Sequence, residues 1–132
     1  MTGSSDTTFG GQNKSAMRPL HLNALGTLSA ADILTYVQDP TAATWLSQPL
    51  LVDARQASFD LSSTEVHRLV SAVETLSRNI LLGRTAVVTS GDLYYGVVRM
   101  YSILAAEFHP GFRVFRCLDE AEQWVSYSHS AH

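Results

Sequence analysis

The 132 residues suffice for one domain around a single core and are too few for two. An apolar share of 45%, a charged share of 16% and a formal net charge of −3 suit a compact protein with a lightly charged surface. Its nine scattered Lys and Arg residues form no basic stripe, so nucleic acid is excluded as an expected partner.

Residues 1–18, rich in Gly, Ser, Thr and Asn, read as a flexible polar arm without a secretory pattern. No apolar run approaches the roughly 20 residues of a membrane span, so no integral membrane association is expected and the cytoplasm is the expected location. The single cysteine, Cys117, fits that compartment and excludes an internal disulfide. The domain is expected over 19–126, with 127–132 frayed.

Leu20, Leu22 and Ala24 alternate with His21, Asn23 and Leu25 as in a half-buried strand that Gly26 ends. Thr27 or Ser29 caps a helix carrying Ile33, Leu34 and Val37, which Asp39-Pro40 terminates. Trp45 and Leu46 anchor an irregular connection. Leu50-Leu51-Val52, followed by Asp53, reads as a short strand buried on both faces. Ser62 with Glu65 is a capping-box signature, and Val66, Leu69, Val70, Val73, Leu76 and Ile80 follow at helical spacing until Gly83. Thr85 to Thr89 is the next buried strand, and Ser90-Gly91-Asp92 turns into a helix over Asp92 to Glu107. After Pro110-Gly111 comes a strand from Phe112 to Cys117. The closing helix has Asp119, Glu120 and Glu122 at its positive end and Leu118, Ala121, Trp124 and Val125 on its inner face. Strands alternating with helices predict right-handed crossovers and a mostly parallel sheet.

The helix from Asp92 departs from the one-stripe rule. Leu93, Tyr94, Tyr95, Val97, Val98, Met100, Tyr101, Ile103 and Leu104 ring it, interrupted mainly by Arg99 and Ser102. A helix that only covers a sheet needs a single apolar stripe, so the excess must meet another element, a second subunit or a ligand.

The run Val87 to Tyr101, with its Tyr-Gly-x-x-Arg-Met core, then Val114-Phe115-Arg116 and Asp119 to Val125, resembles the SpoIIAA-like proteins of the STAS/SEC14-like group. The resemblance covers roughly Leu20 to Val125. It implies an α/β fold with a mixed, mostly parallel four- or five-stranded sheet covered by about four helices, often self-associating, in a group whose members mostly lack an assigned activity. STAS domains of the anti-sigma-factor-antagonist type carry an Asp-Ser-Ser-Gly sequence whose serine is phosphorylated. Here Ser62-Ser63 is similarly placed, with Leu61 where that motif has its aspartate and Thr64 where it has glycine.

Two sets of candidate site residues follow. Ser62 and Ser63 are candidate phosphoacceptors at a positive helix end, although the plainer reading of Ser62 is as the helix cap. Tyr94, Tyr95, Arg99, Met100 and Tyr101 are ligand or interface candidates. Tyr95 and Arg99 share a face and with Ser102 could line a pocket for an acidic head group; alternatively the tyrosines are core or interface residues and Arg99 pairs with Asp53 or Glu107. His21, His67, His109, His129 and His132 show no metal-ligand spacing, no carboxylate pair converges, and no nucleophile-base arrangement can be assembled. No metal or cofactor is therefore expected, and the chain reads as a non-catalytic STAS-like module acting by protein contact, as a homodimer or with a protein regulator. The alternative is a carrier of a small apolar or acidic ligand, such as a lipid, in a pocket beside the 92–107 helix.

Overall fold

Four strands and five helices alternate along residues 19–127, the part of the chain that the computed structural model describes. In chain order they are β1 (Leu20–Ser29), α1 (Ala30–Val37), α2 (Ala42–Leu46), β2 (Leu50–Asp60), α3 (Ser63–Ser77), β3 (Thr85–Thr89), α4 (Asp92–Leu104), β4 (Phe112–Phe115) and α5 (Leu118–Tyr127). The expected arm at 1–18 and the fraying of the last residues lie outside the described part; Ser126 and Tyr127 complete α5.

All strands pair in parallel, in the order β1-β2-β3-β4. Parallel neighbours cannot be joined by a tight turn, so each connection crosses over through helix. Side chains alternate across the sheet, and the two faces bury separate clusters. On one, Val87 and Val114 pack with Val98 of α4, Ala54 and Ala57. On the other, Ala86 and Val88 pack with Leu51, Phe115 and Ala121 and Val125 of α5. A third cluster, Ala42, Leu46 and Leu50 with Trp45, Leu76, Ile80 and Leu82, closes the end near α2. Every residue of β3 is buried, the pattern expected of a strand covered on both faces.

Several boundaries differ from the sequence expectation. Strand β1 does not end at Gly26, which adopts φ +76° within it, but runs on to Ser29. Ser29, not Thr27, caps α1 through a capping box with Asp32. Trp45 and Leu46 belong to the short helix α2. Strand β2 continues past Asp53 to Asp60, because its second half pairs with β1 alone after β3 ends at Thr89 opposite Ala54. Register slips between Asn23 and Leu25, which face Asp53 and Gln56, so β2 carries one extra residue as a bulge. Helix α3 ends at Ser77, and Ile80 packs from the loop beyond it. Gly83 is required for another reason: a Cβ there would lie 2.9 Å from the Gln48 carbonyl. Helix α4 stops at Leu104 and β4 at Phe115.

Candidate functional site

Helix α4 begins at Gly91, whose φ of +82° suits glycine and whose missing side chain leaves the first turn without a side-chain cap. Its inward side is filled. Val98 is buried, with Tyr95 packed against the same cluster. Tyr94 meets Phe59 edge-on at 6.0 Å. Tyr101 meets Phe112 edge-on at 4.6 Å, and its hydroxyl lies 3.0 Å from Nδ1 of His109.

The other nitrogen of His109, Nε2, lies 3.3 Å from the Thr85 hydroxyl. The imidazole is thus bracketed by two hydroxyls that can each donate or accept, and it joins α4 to the start of β3. Only 3% of His109 is exposed. Burial pushes its pKa down to about 4 and raises that of the Tyr101 phenol, since a low-dielectric site disfavours the imidazolium and the phenolate alike. The group is neutral at pH 7 and too enclosed to meet a substrate. In the sequence its partners stand 8 and 24 residues away, and only the flanking aromatics, Phe108 and Phe112, hinted at an apolar setting.

The side chains of Tyr95 and Ser102 each have a partner of their own. The Arg116 guanidinium sits 4.2 Å from the centre of the Tyr95 ring and pairs with Asp92. Ser102 Oγ donates to the Arg99 carbonyl at 2.7 Å. Arg99 is exposed and makes no salt bridge among the described residues. Asp53, one of the two acids named for Arg99, is held by Arg55, whose Nε and Nη2 donate to the two carboxylate oxygens at 2.9 and 2.8 Å. That contact holds the Asp53 carboxyl below its ordinary pKa. A shallow cleft with a volume of about 220 Å³ lies there, at the β2 bulge, lined by Asn23, Ala24, Leu25, Asp53, Arg55 and Gln56 and by no residue of α4.

The outward side of α4 carries what its sheet does not hide. Leu93 is 71% exposed, Ile103 62% and Leu104 37%, and Val97 and Met100 are half-buried. Leu93, Val97, Met100 and Leu104 recur at the spacing that aligns side chains along one flank of a helix.

Ser62 is the N-cap of α3. Its hydroxyl accepts the Glu65 amide at 3.2 Å, and the Glu65 carboxylate accepts the Ser62 amide at 2.9 Å. That bonding lowers the Glu65 pKa. Ser63 is exposed on the first turn, and its carbonyl accepts from His67 Nδ1 at 2.8 Å. The structure therefore separates the pair: Ser62 has its hydroxyl engaged in a cap, and Ser63 faces solvent.

No known family profile and no curated protein matches this chain. Among solved structures it is similar to an uncharacterized protein of the DUF3478 family with a SpoIIAA-like fold from Shewanella loihica PV-4. The two share 20% identity over 80% of this chain and 82% of that one, with a TM-score of 0.50. At that identity the likeness concerns architecture, and the architecture of this chain is SpoIIAA-like. No helix among the described residues is long and apolar enough to cross a membrane.

Proposed function

We propose that this SpoIIAA-like fold serves as a non-catalytic, STAS-like interaction module of the cytoplasm, and that it docks through the outward flank of α4, first of all onto a second copy of itself. The observation that carries this reading is the exposure of Leu93, Ile103 and Leu104 on a helix whose inward side is already filled. Scattered exposed leucines need no explanation, but a row on one helix flank matches the apolar centre of a protein interface. Arg99 and Asp92 stand exposed on the same helix as a polar rim. The alternative reading, an apolar-ligand carrier, draws no support from the cleft at the β2 bulge, which no residue of α4 lines.

Light scattering of the purified chain tests the proposal. The wild type is expected to be a dimer that Leu93→Asp and Ile103→Asp each convert to monomer, whereas Arg78→Gln, on an exposed C-cap of α3, leaves it dimeric. A wild-type monomer, or a dimer indifferent to both aspartates, overturns self-association through α4. Native mass spectrometry on the same samples adds a second arm: retained mass of a bound amphiphile supports the carrier reading instead.

A further inference from the structure

On the opposite face of the sheet, two arginines converge on one indole. Arg84 lies just before β3 and Arg113 in β4. The register pairs Thr85 with Phe112 and Ala86 with Arg113. Side-chain alternation therefore puts Arg84, Ala86 and Arg113 on the α5 side of the sheet, with the two arginines diagonal to each other at the start of neighbouring strands. Trp124 of α5 reaches down to them. The Arg84 guanidinium carbon sits 4.8 Å from the centre of its ring and that of Arg113 at 6.0 Å, with Arg113 also 5.0 Å from the Phe115 ring. Gly111 makes room for this: a Cβ there would lie 3.2 Å from Arg84 Cγ.

Arg55 is neutralised by Asp53, and Arg116, also stacked on an aromatic ring, by Asp92. Arg84 and Arg113 have no carboxylate partner among the described residues, although Glu120 stands one turn before Trp124 on the same helix. Two like charges held over one ring repel each other, in a molecule whose overall charge of −3 would otherwise turn anions away. Guanidinium forks held in place by stacking are suited to a tetrahedral oxyanion, which can accept from both at once.

We propose that Arg84 and Arg113, braced on Trp124, form a binding site for a phosphate-type oxyanion. The site lies across the sheet from α4 and does not depend on self-association. A purely structural role exists for comparison: the arginines would cover the indole and offset the negative end of α5, which has no basic residue in its last turn.

Tryptophan fluorescence separates the two roles. The chain has two tryptophans, so Trp45→Phe leaves Trp124 as the only reporter. Titration with inorganic pyrophosphate at constant ionic strength is expected to give a saturable change in emission, and Arg84→Gln and Arg113→Gln are each expected to weaken it by about tenfold or more. Arg78→Gln should leave it unaltered. A parallel arm uses phosphatidylcholine vesicles with and without phosphatidic acid. A response confined to the phosphatidic acid vesicles, and lost in the same variants, assigns the oxyanion to a lipid head group rather than a soluble phosphate. The absence of a saturable response to either probe, or a response that survives in Arg113→Gln, overturns the proposal. Arg113 is exposed, so that variant tests the site without disturbing the core.

Discussion

Helices α3 and α4 lie side by side on one face of the sheet, contact each other, and are built on opposite plans. Helix α3 hides Val66, Leu69 and Val73 and turns Arg68, Ser71, Glu74 and Thr75 to water. It opens with a capping box that satisfies its first amides. Helix α4 fully buries only Val98, opens at a glycine without a side-chain cap, and turns Leu93, Ile103 and Leu104 outward. The two have the same architectural task, so the task does not account for the apolar exterior of α4. What an element must do to cover a sheet is shown by α3; what α4 has beyond that is available for contact with another molecule.

The largest expected effect tests the shared task. Leu69→Ala removes a side chain that is 6% exposed and should cost about 2–5 kcal/mol in urea unfolding, through lost burial and a residual cavity. Leu93→Asp should alter unfolding by less than about 0.5 kcal/mol, because Leu93 is largely in solvent already. Comparable losses at the two positions would show that α4 packs on both sides.

The next effect concerns how α4 is tied down. In the folded chain burial lowers the His109 pKa to about 4, whereas in the unfolded chain the imidazole titrates near 6.5. Between those values the unfolded state binds a proton that the folded state refuses, so the contribution of His109 is fully present above about pH 6.5 and is lost as pH falls towards 4. The loss amounts to roughly 3 kcal/mol. Urea midpoints at pH 7 and pH 4.5 should therefore differ less in His109→Leu than in the wild type. An equal fall in both proteins would assign the acid sensitivity to other groups.

The smallest effect separates the two helix starts. Ser62→Ala should destabilise the protein by about 1 kcal/mol, as loss of an N-cap does. Helix α4 has no such side chain to lose. If Ser62→Ala left the urea midpoint unchanged, the hydroxyl would be free for another role, and the phosphoacceptor reading of Ser62 would gain weight over the capping one.

Which parts were legible in advance follows the range of the interactions. The stripe of α3 and its Ser62–Glu65 cap were readable because both are relations between residues three or four apart. The buried character of β3 was readable from five consecutive residues. Two glycines have roles that the local sequence does not show: Gly26 takes a positive φ within β1, which runs on past it, and Gly83 permits a close approach to Gln48. The site was legible in part. The apolar excess of α4 is visible in the sequence, whereas the cover that Arg116 gives Tyr95 from beyond β4 is not. His109 is one of five scattered histidines, and its partners lie 8 and 24 residues away.

By itself, then, the sequence determined the alternation of strand and helix, the inward stripe of α3, the doubly buried β3 and the surplus of apolar residues on α4, since each depends on periodicity within a dozen neighbouring residues. Tertiary structure alone decided that β2 runs on beside β1 where β3 stops, that Tyr101 and Thr85 enclose His109, and that Arg84 and Arg113 meet over Trp124. Those outcomes depend on which strands become neighbours and in what register, and a contact between residues 24 or 40 positions apart leaves no local pattern to read.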